Sequence, residues 1–294
     1  MNTSPHIPIM LDDVIAYLDI QPADKIIEGT TGFAGHSQHL IKPLSKDGLF
    51  IGIDRDPDAV KFSKDILKNS PNAFIYHNSA EHFDTLMQQH NVTQFTKFFL
   101  DLGVSSYQLD TPERGFSHRF DGPLDMRMDP SQGQNAADIV NTYSKQQLSD
   151  IFYYYGELAH NKKLVENIFH ERNKTSIATT DALRNIIKRS YRFSHRPHLM
   201  KTCSKVFQAL RIEVNQELSQ LDTLLEKIET FAAPNAIIII LSFHSLEDKR
   251  IKRFVKQSET LYFDPKSVIK PSKEERAQNS RSRSTKCRVI KKRA

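Results

Sequence analysis

Apolar positions in the first hundred residues follow two periods. Leu11, Val14, Ile15 and Leu18 recur at helical spacing and predict an amphipathic helix that opens the fold. Short apolar runs then predict buried strands over 25–30, 49–54, 73–77 and 98–102, with helical patterns over 58–68 and around 81–89. Strands alternating with helices in this way predict right-handed βαβ units and a parallel sheet, hence an α/β fold.

The alternation stops after Gly103. Residues 104–135 are rich in Gly, Pro, Asp and Ser and read as ordered loop. Ser144 is placed to cap a helix carrying Leu148, Ile151 and Phe152; Leu164, Ile168 and Phe169, then Leu183, Ile186 and Ile187, continue the helical phase. No strand pattern appears in this middle region, which predicts an inserted helical domain. A long helix is expected over 204–230, followed by a strand over 236–243, a helix over 246–256 and a last edge strand over 287–290. The expected organisation is a first α/β part at 1–105, a helical insert at 106–208 and a second α/β part with a basic tail at 209–294.

Composition narrows the class. The chain has 294 residues and a formal net charge of +6. Its longest apolar run, Ala236–Phe243, is far too short for a bilayer, which needs roughly 20 residues. The first residues lack the basic and apolar regions of a signal peptide, so a cytoplasmic protein is expected, with no membrane partner. Cys203 and Cys287 alone make neither a disulfide framework nor a cysteine-rich metal site. Charge is concentrated: Lys266–Ala294 holds 11 Lys/Arg against Glu274 and Glu275, a surplus of 11 − 2 = +9, leaving 6 − 9 = −3 elsewhere. A second stretch, Arg184–Lys205, carries seven Lys/Arg and no acid, with Tyr191 and Phe193 interleaved. Two such stretches suit a phosphate backbone.

Candidate chemistry sits where strands are predicted to end. Glu28-Gly29-Thr30-Thr31-Gly32-Phe33-Ala34-Gly35-His36 is a glycine turn between the first strand and helix, allowing close backbone approach to a nucleotide-like ligand. Asp54, 22 residues after Gly32, ends the second strand, where a carboxylate can accept from ribose hydroxyls; Asp56 is its rival. The glycines fall every third position instead of in a G-x-G-x-x-G order, and no P-loop Gly-Lys-Ser/Thr is present. This shifts the reading from a dinucleotide toward S-adenosylmethionine, which has no phosphate. Asp101 ends the fourth strand, the reactive edge of a parallel sheet. The aspartates between Asp110 and Asp129 fit no ion-binding loop, so no metal is expected. Phe243 and His244 end the fifth strand and are expected to wall the site; Ser245 beside them lacks a nucleophile elbow, which argues against a hydrolase.

Together these segments resemble the ribosomal RNA small-subunit methyltransferase H (MraW) family. The matching residues are His6-Ile7-Pro8, Gly29-Thr30-x-Gly32-x-x-Gly35-His36-Ser37, Gly52-Ile53-Asp54-Arg55-Asp56, Asp101–Asp110, Arg114–Gln132, Phe207-Gln208-Ala209-Leu210-Arg211-Ile212, Ser242–Asp248 and Asn279–Ser284. The resemblance spans nearly the whole chain. It implies a Rossmann-like S-adenosylmethionine-dependent methyltransferase domain interrupted by a helical substrate-recognition domain. It also implies transfer to N4 of a cytidine in the decoding region of 16S rRNA, with the small ribosomal subunit as partner. Carried over by position, cofactor contacts fall at Ala34, Gly35, His36, Asp54, Asp101 and Gln108. An aromatic after the third strand is also expected; Phe83 is the candidate, and Ala80 aligns equally well when counted from His77. Two departures stand out: Glu28 replaces a usual Asp, and Phe33-Ala34 replace residues that are commonly Gly. A homodimer is admitted but not required.

A cytosine amino group is a poor nucleophile, so an acceptor for its protons is expected to help. Asp101 is the candidate, with Phe243 or Tyr107 available to stack on a flipped base. The rival readings are a DNA amino-methyltransferase, disfavoured because Asp101-Leu102-Gly103-Val104 lacks a Pro-Pro motif, and a non-catalytic RNA-binding assembly factor.

Overall fold

The computed structural model describes residues 8–191, 196–266 and 268–294. His6 and Ile7 of the first motif, and Arg192 and Phe193 of the inner basic stretch, lie outside the described residues. The chain divides into two compact units, one up to Gly103 and again from Leu218, the other Val104–Glu217.

The first unit holds a seven-stranded sheet. Its strands are β1 (Lys25–Glu28), β2 (Leu49–Asp54), β3 (Ala73–His77), β4 (Phe95–Asp101), β5 (Ala232–Ser242), β6 (Leu261–Phe263) and β7 (Lys286–Lys292), in the order β3-β2-β1-β4-β5-β7-β6. Neighbours from β3 to β5 pair parallel, whereas β7 runs antiparallel to both β5 and β6. This is the Rossmann-like α/β architecture expected.

Alternation along the strands builds two apolar layers. Ile27, Ile51, Ile53, Phe98, Leu100, Ile238 and Ile240 face helices Phe83–Gln89, Glu217–Phe231 and Ser245–Gln257. Their strand neighbours Ile26, Phe50, Phe99, Ile239 and Leu241 face the other way, against Val14, Leu18, Leu40, Val60 and Leu67. With both faces covered, strands read as continuous apolar runs, the pattern of a parallel sheet. The opening helix, Leu11–Leu18, buries Val14 and Leu18 as its spacing predicts.

Three expectations shift. The stretch expected as one long helix is two, Arg196–Asn215 and Glu217–Phe231, with Gln216 between them at φ 51°. β7 is longer than expected and is not an edge, because the three-residue β6, too short to show a period, pairs with its outer side. Residues 104–135 contain a short helix, Ser106–Asp110, and a 3-10 turn, Pro112–Arg114.

The second unit packs Leu148, Phe152, Leu164, Ile168, Leu183, Ile187, Val206 and Leu210 into its own core. Ser144 caps helix Lys145–Tyr154 as expected: its Oγ accepts from Gln147 N at 3.2 Å, and Gln147 Oε1 accepts from Ser144 N at 2.9 Å. Position 208, the expected end of the insert, falls within helix Arg196–Asn215. That helix contributes Val206, Phe207, Ala209 and Leu210 to this core, so the break comes after Glu217.

Candidate active site

Parallel strands bring their carboxyl ends to one edge, and three acids stand there: Glu28 on β1, Asp54 on β2 and Asp101 on β4. The turn after β1 is laced to neighbouring strands by Gly29 N donating to Phe99 O (2.9 Å) and Thr31 N donating to Ile53 O (3.0 Å). Thr30 Oγ1 accepts from Asp101 N at 2.8 Å. Two glycines are sterically required. Gly32 has φ +51°, and a Cβ on Gly52 would come within 2.5 Å of Thr31 Cγ2.

Asp54 is held by that turn. Its Oδ2 accepts from Gly32 N (2.7 Å) and its Oδ1 from Asp56 N (2.9 Å). Burial raises its carboxyl to about 6, against the lowering effect of those amides. The rival Asp56 caps helix Pro57–Leu67 through Asp58 N (3.0 Å), so its carboxylate serves the helix start.

Glu28 is fully enclosed. Its Oε2 accepts from Ser37 Oγ, while its Oε1 has no hydrogen-bond partner. Burial first, then the charges of Asp101 and Asp54, push its carboxyl up to about 8 despite the Ser37 bond, so it carries a proton at neutral pH.

Asp101 is raised to about 7, by burial and then by the charge of Glu247. Its Oδ1 is buried without a hydrogen-bond partner, and its Oδ2 lies 4.0 Å from Nδ1 of His36. On the other side of that ring, Nε2 lies 3.0 Å from the carbonyl of Ile9. A carbonyl can only accept, so Nε2 carries the hydrogen.

Glu247 was not singled out in the sequence. It is 2% exposed, and its Oε2 accepts from the amides of Phe243 (2.8 Å) and His244 (3.1 Å). Its Oε1 is 3.1 Å from His244 Nε2, out of line for a hydrogen bond. The available signal was an acid three residues into the helix after β5, the capping-box position. Next to it, Asp248 takes Lys286 Nζ (2.8 Å) and Arg288 Nε (2.7 Å) from β7. Burial alone would raise the Asp248 carboxyl, but these two cations hold it below the usual range.

Several expected site residues meet at this edge. Asp54, Asp101, Gly35 and His36 surround the turn, and Phe243 Cδ2 lies 3.6 Å from where a Cβ on Gly103 would stand. Three other candidates have enclosed side chains. Phe83 corrects the expectation: its ring is fully buried among Phe95, Phe98 and Phe231, whereas Ala80 Cβ comes within 3.1 Å of the position of a Gly29 Cβ. Ala34 is also fully buried; at φ 57° it shapes the turn, its carbonyl accepting from Gln38 Nε2 (2.9 Å). Gln108 belongs to the helical unit, where its Oε1 accepts from Ser105 N (3.0 Å) and its N donates to Ser105 Oγ (3.2 Å).

An adenosyl sulfonium fits this edge on the structure's own evidence. A glycine turn with room at Gly32 adjoins the buried Glu28 and the partly buried Asp54 and Asp101, all with carboxyls raised toward neutral pH, and a cationic ligand would offset the cost of ionising them.

The chain matches the MraW methylase family over residues 3–293. A ribosomal RNA small subunit methyltransferase H from Bacteroides thetaiotaomicron is 37% identical, the match covering 98% of this chain and 97% of that protein. One from Hydrogenobaculum sp. is 40% identical over 97% of this chain and 95% of its own. A solved rRNA methylase from Streptococcus thermophilus aligns at 10% identity over 97% of this chain and 94% of that one, with a TM-score of 0.43. On the family match across the chain and on these sequence relatives, the protein belongs to the MraW methylase family.

Proposed function

We propose that this protein transfers a methyl group from S-adenosylmethionine to the N4 amino group of a cytidine in the decoding region of 16S rRNA, acting on the small ribosomal subunit in the cytoplasm. The observation that carries this reading is Asp101: a strand-end carboxyl near pKa 7 with a buried, unpartnered oxygen, between a glycine turn and Phe243. The names of the sequence relatives support rRNA as the substrate, and the family resemblance supports the cytidine amino group.

Bound at the turn, S-adenosylmethionine supplies a methyl group already activated on a sulfonium. Asp54, whose carboxylate keeps a lone pair beyond its bonds to the amides of Gly32, Arg55 and Asp56, would accept from the ribose hydroxyls. Gly35 and His36 would line the turn beside it. Asp101, once ionised, would accept a hydrogen bond from the acceptor amino group. This would localise the nitrogen lone pair, and Asp101 would take the amino proton as the N–C bond forms and the methyl–sulfur bond breaks with its electron pair left on a neutral thioether. His36 Nδ1 lies 4.0 Å from Asp101 Oδ2 and would help to set the orientation of that carboxyl. Phe243 and His244 wall the edge, and Phe243 offers a ring face to an unstacked base.

The test offers labelled S-adenosylmethionine with small subunits from cells lacking the enzyme, with naked rRNA and with DNA. Label on the subunit or rRNA is expected. Label on DNA alone identifies a DNA methyltransferase, and cofactor binding without transfer identifies a non-catalytic assembly factor.

A further inference from the structure

The basic end of the chain takes no part in the chemistry above, yet it is built. Helix Lys273–Gln278 is followed by the 3-10 turn Ser280–Ser284, which is held by Asn279 accepting from Arg281 N (3.1 Å) and by Ser282 Oγ donating to Asn279 O (2.8 Å). Lys273, Arg276 and Arg283, with Ala277, line an open cleft of about 350 Å³.

The cations of this cleft are oriented but not neutralised. Arg276 Nε donates to Ser272 O and Arg283 Nε to Arg276 O, each at 3.2 Å. Both guanidiniums are thereby fixed through Nε, and among the described residues their terminal nitrogens and Lys273 Nζ form no ion pair. Two carboxylates are near. Glu275 Oε1 accepts from Met10 N at 2.7 Å, and the exposed Glu274, held below the usual carboxylate range first by its own amide and then by Ser272, also feels the charge of Arg276.

We propose that this cleft is a phosphate subsite that grips one backbone phosphodiester of the RNA substrate, a reading that rests on the RNA methyltransferase assignment above. Two planar forks and one ammonium around a single cavity match a phosphate, which Arg engages bidentately and Lys as a point charge. A phosphate contact carries no base identity but fixes register. The cleft is suited to that task because it is fastened toward the reactive edge. Glu275 holds Met10 N, the adjoining Ile9 carbonyl faces His36 Nε2, and His36 Nδ1 faces Asp101.

The test compares wild type with Arg276→Gln/Arg283→Gln, the corresponding double Lys variant, Glu275→Ala and Glu275→Gln. Four quantities are read: KM for unmethylated small subunits, the salt slope of binding to a labelled single-stranded RNA, and cofactor affinity and thermal midpoint as fold controls. The double Gln variant is expected to raise KM about tenfold and flatten the slope by roughly 0.7–0.9 for the lost phosphate, with cofactor affinity retained. The double Lys variant keeps the slope but recovers KM only in part. Glu275→Ala raises KM without moving the slope, and Glu275→Gln restores it. Unchanged KM and slope in the double Gln variant overturn the cleft. So does a site that binds inorganic phosphate while the variants bind RNA normally, since it would then serve a free anion. A wild type that methylates no RNA instead overturns the assignment on which the cleft rests.

Discussion

His36 Nδ1 stands 4.0 Å from Asp101 Oδ2, and the Ile9 carbonyl on the far side of the ring places the hydrogen on Nε2. The nitrogen facing Asp101 is therefore an acceptor whenever the ring is neutral. At 4.0 Å the two groups are neighbours without a hydrogen bond, and the other carboxylate oxygen, Oδ1, is buried with no hydrogen-bond partner.

Asp101→Asn should lower single-turnover methyl transfer by about 10²–10⁴, the range for loss of a positioned base, while cofactor affinity changes only a few-fold. Equilibrium binding and rapid-quench transfer separate the two effects. Full transfer in the Asn variant would remove Asp101 from the role of proton acceptor.

The same group sets a pH limb. Asp101 must be ionised to accept a proton, and its carboxyl lies at about 7 in the free enzyme. A plot of kcat/KM against pH should rise with a midpoint near that value, because this parameter reports free-enzyme groups. A flat profile between pH values of about 5.5 and 8.5 would contradict the assignment.

Stability of the ligand-free enzyme should move in the opposite direction. Glu28, Asp54 and Asp101 all have folded-state values above the ordinary carboxylate range. Such groups bind protons more tightly folded than unfolded, so their stabilisation is present below the unfolded values near 4 and is lost as pH rises through about 6, 7 and 8. Glu28→Gln should accordingly melt above wild type at the alkaline end of that window and lose the advantage at the acid end. Scanning calorimetry across the window checks this; an advantage confined to acid pH would be the wrong sign.

Asp248→Ala tests the pin between helix Ser245–Gln257 and β7. Arg288 is 8% exposed and would be left buried without its carboxylate. Breaking a buried pair from one side costs about 3–5 kcal/mol. Urea denaturation measures the loss, and a change below about 1 kcal/mol would show the pair to be solvated.

Phe83→Leu should lower stability by on the order of 1 kcal/mol through imperfect repacking, and leave cofactor affinity unchanged. Titration of the folded variant with S-adenosylmethionine decides between a core ring and a ligand contact. Weakened affinity at normal stability would restore Phe83 to the site.

Much of this was legible in the chain. The parallel sheet followed from continuous apolar runs, and Asp54 and Asp101 followed from their position at strand ends after a glycine turn. Glu247 and Asp248 were harder. Their significance depends on β7, more than thirty residues later, folding back beside β5, which no local period records. Phe83 misled for a related reason. An aromatic at the start of a helix shows its spacing in sequence but not its face, and here that face meets Phe95 and Phe98. The break at Gln216 carried no glycine or proline to announce it.

The most direct measurement of the central claim is nucleoside analysis by mass spectrometry of small subunits methylated by the purified enzyme. The account predicts N4-methylcytidine, gained by wild type and strongly reduced with Asp101→Asn. Methylation at a ring carbon or at a ribose oxygen would contradict it, because neither would place an exocyclic amino proton at Asp101, and methylation of an amino group on another base would contradict the cytidine assignment.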